Sequence, residues 1–439
     1  MNIFKNLKNL TYQEKPVSLE LSPFECFKRI YAQSENCFFL ESLGDEDLYS
    51  RFAYIGCDPV LTIKSDTCSY AEIANLSKIS ITNAPKKGFA GGLVGYFGYG
   101  AACFFDPAFK VKTNPNFPDF ELGLYMDGLI FDRIGKRESY FTCKENRLGY
   151  IQKLLQKPTK LNPFQSRLIK TSKSKEQHRQ MVLEAKKHIA AGDIFQVVLS
   201  IGHEYEVGGD PISLYERLRK INPSPHMFFF KFGKRIVMGA SPELLIDVEA
   251  GIIRHRGTLA GTIRRGANPD DDFQLMQQLL HDPKENAEHM MLVDLVRNDM
   301  GRICEFGSIA VDTLSHVKKF SYVQHLSSEI IGVLKSSESS FSALAACFPA
   351  GTLSGAPKIE AMKIINQLEG SPRGPYGGVG GYFSFNNSAM FCINIRSFAV
   401  AGNKGFIHVG SGIVADSAPE KEYEEIVNKN KAMKEALGV

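Results

Sequence analysis

DPKENAEHMMLVDLVRNDMGR, the stretch from Asp282 to Arg302, decides how the rest of this chain is read. Asp282 is a strong N-cap residue and Pro283 fits the first helical position, so the sequence predicts a helix from here to about Asn298. A spacing of three puts Glu285 and Glu288 on one stripe, which continues through Leu292 and Leu295 toward a core. Two carboxylates at the start of a buried face cannot both stay ionised in a low-dielectric site without a cation. A hard divalent metal with oxygen ligands is the usual remedy. The plain alternative is a wet helix end, where glutamates are welcome beside the positive N-terminus.

The same design recurs near the end of the chain. After GSGIVADSAP, Pro419 again suits a first helical position, with Ser417 or Asp416 available to cap it. Glu422 and Glu425 lie three apart, Lys429 is one turn further on, and the stripe runs to Met433. Two helices that each carry a carboxylate pair suit one Mg²⁺ held between them, with Lys429 ready for an anionic ligand.

KENAEHMMLVDLVRND, FPAGTLSGAPK, RGPYGGVGGYF, INIRS and GSGIVADSAPEKEYEE together resemble the chorismate-utilising enzymes, and among them component I of the anthranilate synthases. The resemblance is strong from Lys173 to Val439 and looser before it. It implies an α+β fold with large antiparallel β-sheets packed face to face and helices outside. It also implies an N-terminal regulatory region over residues 1–165 and a chorismate-binding catalytic region over residues 166–439.

Composition agrees with such a protein and excludes others. Of the 439 residues, 44% are hydrophobic and 31 are Phe, which is enough for a large core. The formal charge is only +4 and no basic patch is interleaved with aromatics, so a nucleic-acid role is not expected. No apolar run is long enough to span a bilayer and MNIFKNLKNLTYQEK has no apolar leader segment, so a cytoplasmic, membrane-free protein is expected. The nine cysteines are scattered without CxxC pairs and should be reduced thiols. None sits in a Gly-x-Cys-x-Gly turn of the glutaminase kind.

SPFECFKRI is read as a helix capped by Ser22 with Glu25 in the capping-box position, and FFLESLG, SRFAYIGCDP and LTIKS as strands. From Gln152 to Lys175 the chain is polar and reads as a connector. KEQHRQMVLEAKKHIAAGD makes an amphipathic helix ended by Gly192 and leads into the strand IFQVVLSIGHEYEV. Gln196 is a polar residue in that strand, so its amide either bonds structurally or lines a pocket. Glu243, after a proline in GASPELLIDV, is an acid that a core strand carries only for a reason. Gly257, Gly261 and Thr262 stand where glycine allows a substrate close to the backbone. His325 in a strand reads as a satisfied structural histidine from the residues alone. Thr352 and Ser354 precede Pro357 at a helix start that could bind an anion. Arg396, in an apolar strand, could clamp a carboxylate. The Gly410, Ser411 and Gly412 amides could form an anion nest.

The resemblance gives several of these residues roles. It implies Gln196 at the position where relatives that add water carry a lysine base, which argues for ammonia as nucleophile. It implies Glu243 as the general acid for the departing ring hydroxyl, His325 in pyruvate elimination, and Thr262 at the reacting centre. Glu285, Glu288, Glu422 and Glu425 would hold Mg²⁺, with the ring carboxylate of chorismate on the metal near Glu288 and Glu425. Tyr376, Arg396 and the Gly410 region, with Gly261, Ser411, Gly412 and Lys429, would bind the rest of the substrate. Ala260 stands in TLAGT where aminodeoxychorismate synthases, the competing assignment, have a lysine. A non-catalytic effector-binding homologue would be expected to lack acidic or basic site residues that this chain retains. Glu41 and Ser42, with Asn222, Pro223 and Met227 of NPSPHM, match the tryptophan site, where His226 replaces a tyrosine. With no glutaminase signature in the chain, a separate amidotransferase subunit, component II, would supply ammonia in a heterotetramer.

Overall fold

Strands buried on both faces account for the long apolar runs. In the strand Asn36–Glu41, Phe38 and Leu40 point to one side, while Cys37 and Phe39 point to the other, and both sides are core. The neighbouring strand His226–Phe232 divides in the same way, with Phe228 and Phe230 on the first side and Met227 and Phe229 on the second. The computed structural model describes residues 3–5, 7–43, 51–319 and 323–438, except for the side chains at 257, 260, 262 and 323.

Among the described residues two large antiparallel sheets dominate, of twelve and nine strands. The larger runs in the order Gln165–Thr171, Gln196–Gly208, Lys404–Ile413, Ser397–Ala401, Arg235–Ser241, His226–Phe232, Asn36–Glu41, Phe52–Cys57, Asp127–Asp132, Arg137–Thr142 and Gln13–Pro16, and the short Gly355–Ala356 pairs with Gln196–Gly208. The smaller runs Ala310–Lys319, Val323–Val333, Ile252–Arg264, Leu244–Glu249, Ala389–Ile393, Val379–Ser384, Gly92–Phe97, Phe120–Tyr125 and Leu61–Lys64. One core cluster joins residues of both sheets, as the face-to-face expectation requires. Phe38 of the larger sheet meets Tyr125 of the smaller edge-on, with ring centroids 4.6 Å apart. Strands from both sides of residue 165 lie next to one another within each sheet.

Helices cover the outer faces. Pro23–Tyr31, Leu148–Gln156, Pro211–Ile221 and Lys431–Leu437 lie over the second face of the larger sheet. Lys175–Ala191 and Lys358–Glu369 pack against the start of Gln196–Gly208. Pro283–Gly301 lies against Ile252–Arg264 and Val323–Val333 of the smaller sheet. Its N-cap is Asp282, whose Oδ1 accepts from the Lys284 and Glu285 amides at 2.9 and 3.0 Å.

Three local expectations are corrected. The supposed connector from 152 to 175 contains the end of one helix and the edge strand Gln165–Thr171, whose exposed face lacks the apolar alternation that would have announced it. The helix Pro419–Lys429 is preceded by Ala418 with no side-chain cap, and the stripe toward Met433 breaks at Asn430, where a second short helix begins. Ser417 is engaged elsewhere, its hydroxyl accepting from the Val414 amide at 3.1 Å. At Ser22 only half of the capping box forms: the hydroxyl accepts from the Glu25 amide, while the Glu25 carboxylate pairs with Lys28.

Candidate active site

Two crossovers between the sheets build the centre of the site. The chain leaves the larger sheet at Ser241 and enters the smaller at Leu244, with Pro242 and Glu243 between. It returns from Ile393 to Ser397, with Arg396 between. The crossovers hold each other: the Ala240 amide donates to the Arg396 carbonyl at 3.1 Å, and the Ile393 amide to the Glu243 carbonyl at 3.0 Å. Arg396 therefore lies in a turn rather than in the strand expected for it, with φ 49° in the left-handed region, a strain that chains tend to store at functional sites. Neither residue belongs to a regular ladder, and both line the space between the sheets.

That space is a cavity of about 290 Å³, at the lower end of the range for small-molecule sites. Gln196, Glu243, Gly261, Glu285, Glu288, His325, Tyr376, Arg396, Gly410, Gly412, Glu422, Glu425 and Lys429 all line it, so almost the whole predicted site comes together. Ser411 does not. Strand alternation turns its side chain away from Gly410 and Gly412, toward Glu422. The side chains of Ala260 and Thr262 lie outside the described residues; the Thr262 backbone pairs with His325. The helix after Pro357, expected to offer an anion contact, does not line the cavity, whereas Thr352 and Leu353 just before it do.

Burial sets the chemistry of the central acid. It pushes the Glu243 carboxyl up to about 7, against the Thr352 hydroxyl, which donates to Oε2 at 2.9 Å, and the charges of Arg396 and Lys429. A carboxyl protonated near neutrality can give a proton to a leaving group. Burial likewise holds His325 down at about 3, with Arg396 and Lys429 adding to the effect. Its Nδ1 lies 2.9 Å from the Gly261 carbonyl, an atom that can only accept. Nδ1 therefore carries the proton and Nε2 the lone pair, the tautomer a base requires.

At the other end stand the four glutamates. Glu285 and Glu288 are both raised, first by burial; for Glu288 the charges of Glu285 and Glu425 add to this. Burial also raises Glu422, against the Ser417 and Ser411 hydroxyls beside it, and its Oε2 is buried with no hydrogen-bond partner among the described residues. Mutually repelling carboxylates with an orphaned oxygen fit a hard cation such as Mg²⁺. They are not yet gathered: among the described residues no three His, Cys, Asp or Glu groups are close enough to hold a metal ion. The reason is visible in their partners. Glu288 accepts from Gln196 Nε2 at 2.7 Å, and Glu425 pairs with Lys429 Nζ at 2.6 Å. A Cβ on Gly412 would stand 2.8 Å from Gln196 Nε2, and one on Gly261, whose φ is +65°, 2.9 Å from Glu285 Oε2. These two glycines make room for the amide and the carboxylate.

The two segments that the resemblance matches to a tryptophan site meet across the paired residues Met227 and Glu41. Glu41, Ser42 and Met227 line a second cavity of only about 30 Å³ together with His226. The Glu41 carboxylate is already bound by Arg219, at 2.6 and 2.9 Å, and by the Tyr215 hydroxyl. Asn222 lines the larger cavity instead, and Pro223 lines neither. Sequence reasoning missed Lys284 and His408 in the main cavity. The spacing of Lys284 beside Glu285 could have shown the first; no local pattern marks the second.

The model of the chorismate binding enzyme family matches residues 35–435. The chain is 42% identical to anthranilate synthase component 1 of Methanothermobacter thermautotrophicus, over all of this chain and 96% of that protein. It is also 42% identical to the protein of that name from Leptospira biflexa, over 98% and 96%. The solved structure of anthranilate synthase component I from Streptococcus pneumoniae is similar with a TM-score of 0.77 and 30% identity, over 94% of this chain and 97% of that one. The menaquinone-specific isochorismate synthase of Escherichia coli shares the fold, with a TM-score of 0.78 at 20% identity over 98% and 95%.

Proposed function

This chain belongs to the chorismate binding enzymes, and we propose from that premise that it acts as component I of an anthranilate synthase. It aminates chorismate at C2 with loss of the C4 hydroxyl, then eliminates pyruvate to give anthranilate, opening the route to tryptophan. The observation that carries the reading is Gln196. Its NH₂ faces Glu288, and its Oε1 is buried with no hydrogen-bond partner among the described residues. An amide carbonyl can accept from ammonia but is too weak a base to deprotonate water, whereas ammonia already has a nucleophilic lone pair.

In this reading Glu243 gives its proton to the departing C4 hydroxyl, which leaves as water. His325 Nε2 takes the C2 proton in the second step, as the bond to the enolpyruvyl oxygen breaks and pyruvate is released. Arg396, Tyr376 and the Gly410 amide hold the enolpyruvyl carboxylate. Glu285, Glu288, Glu422 and Glu425 would hold Mg²⁺, which when bound neutralises the ring carboxylate and polarises the ring toward substitution. Glu288 and Glu425 each use one oxygen, Oε1, toward Gln196 and Lys429, so a bound cation would compete with or share these contacts. Ammonia would come from a glutamine amidotransferase subunit in a heterotetramer, with all of the chemistry in the cytoplasm. No described helix is long and apolar enough to cross a membrane. Tryptophan as feedback inhibitor is supported by the meeting of the Glu41 and Met227 segments, and it requires that small cavity to open. A titration of activity against tryptophan tests it.

The decisive assay supplies chorismate, Mg²⁺ and ammonium. Fluorescent anthranilate with an equal amount of pyruvate is expected. 4-Amino-4-deoxychorismate without pyruvate would replace this reading with the aminodeoxychorismate synthase one, although Ala260 offers no nucleophile for that reaction.

A further inference from the structure

Behind the substrate end of the cavity lies an ion pair that the reaction itself does not use. Arg373 is only 3% exposed and makes a two-pronged contact with Glu369, Nε to Oε2 at 2.9 Å and Nη2 to Oε1 at 2.5 Å. Its remaining hydrogen bonds go to backbone, Nη1 to the Leu353 carbonyl at 2.6 Å and Nη2 to the Val198 carbonyl at 2.7 Å. Glu369 Oε1 also accepts from the Ser200 amide and hydroxyl, at 2.7 and 2.9 Å.

Each anchor adjoins a piece of the site. Leu353 follows Thr352, the donor to Glu243. Val198 and Ser200 are paired with Gly412 and Gly410. The Arg373 guanidinium lies between two rings, 4.6 Å from the centre of Tyr99 and 5.7 Å from that of Tyr376, and the His408 ring stacks on Tyr376 at 5.5 Å and 20°. The Tyr376 hydroxyl is close enough to Gly410 that a Cβ there would stand 2.8 Å from it. An arginine fork with its donors spent on a carboxylate and two carbonyls is held rigidly, and its face can fix an aromatic ring.

We propose that Arg373, clamped by Glu369, is a positioning residue for chorismate: it sets the place of Tyr376 against Gly410 and so shapes the pocket for the enolpyruvyl carboxylate. The proposal rests on the chorismate reading above. Its effect belongs chiefly in chorismate binding rather than in ammonia use, because among the described residues the pair makes no hydrogen bond to Gln196, Glu285, Glu288, Glu422 or Glu425 and reaches Gln196 only through the Val198 and Gly412 backbone.

Removing one partner would strand a buried charge, so the test replaces both, as Arg373→Met with Glu369→Met, a change that folded proteins often tolerate. The Kd for chorismate by calorimetry and the KM values for chorismate and ammonium are measured in this variant, in Tyr376→Phe, and in the combination. Chorismate Kd and KM are expected to rise about tenfold, the scale of one lost hydrogen bond to a charged group, with the ammonium KM unchanged. In the Tyr376→Phe background the pair's replacement should add little, since both changes remove the same contact. Arg373→Lys, which keeps the charge but loses the fork, should reproduce the effect and serves if the double variant does not fold. Fully additive effects, an unchanged chorismate Kd, or equal shifts in both KM values would overturn the proposal. Failure of the unaltered chain to make anthranilate would instead strike the functional reading, and the calorimetric comparison would still stand.

Discussion

At the scale of single residues, Glu243 and Thr352 offer the sharpest handle. The acid must be protonated to work, so kcat/KM for chorismate at constant free ammonia should fall as pH rises through about 7. The Thr352 hydroxyl favours the ionised form, so Thr352→Val should move this fall to higher pH. A pH profile unmoved by the substitution would remove Glu243 from that role. The carboxylates proposed as metal ligands give a second outcome. Glu288→Gln or Glu425→Gln takes an anionic donor from a hard cation and should nearly abolish activity, and calorimetric Mg²⁺ binding should weaken in parallel. Full turnover in excess chelator would count against the cation.

Among elements, the helix Pro283–Gly301 carries Glu285 and Glu288 and must be seated against its neighbours. One buried contact does this: Lys358 Nζ bonds Asp299 Oδ2 at 2.6 Å and the Cys347 carbonyl at 3.2 Å, joining the helix to Lys358–Glu369. Lys358→Met leaves the buried Asp299 with Arg302 at 3.5 Å and should cost about 3 kcal/mol in a denaturant melt. Burial already raises Asp299, with Lys358 opposing, so loss of the lysine raises it further. The deficit should therefore shrink as pH falls and the carboxyl becomes neutral. A melt unchanged at neutral pH would show that the pair carries no stability.

For the whole molecule, the outcome to check is dependence on a second chain. Glutamine alone should not support turnover by the isolated protein, whereas ammonium salts should, and increasingly so at alkaline pH as free ammonia rises. Release of glutamate from glutamine by the purified chain would refute a two-subunit enzyme. The sequence by itself determined the helix at Asp282, the terminal helix at Pro419 and most of the polar and charged residues on the cavity wall. Caps, prolines and spacings of three and four are local, and the motif runs that carry the family resemblance are continuous in the chain. Only the tertiary structure decided that Glu243 and Arg396 sit on two hydrogen-bonded crossovers rather than in strands. That arrangement depends on which sheet each neighbouring strand joins, a long-range choice that no window of sequence contains. It also decided that Ser411 turns away from Gly410 and Gly412, and that Gln196 meets Glu288 across 92 positions of chain. The pair Arg373 and Glu369, four apart in the chain, carries no local sign of its place; only the fold buries it against Val198, Ser200 and Leu353 beside Tyr376, where its charges face each other instead of solvent.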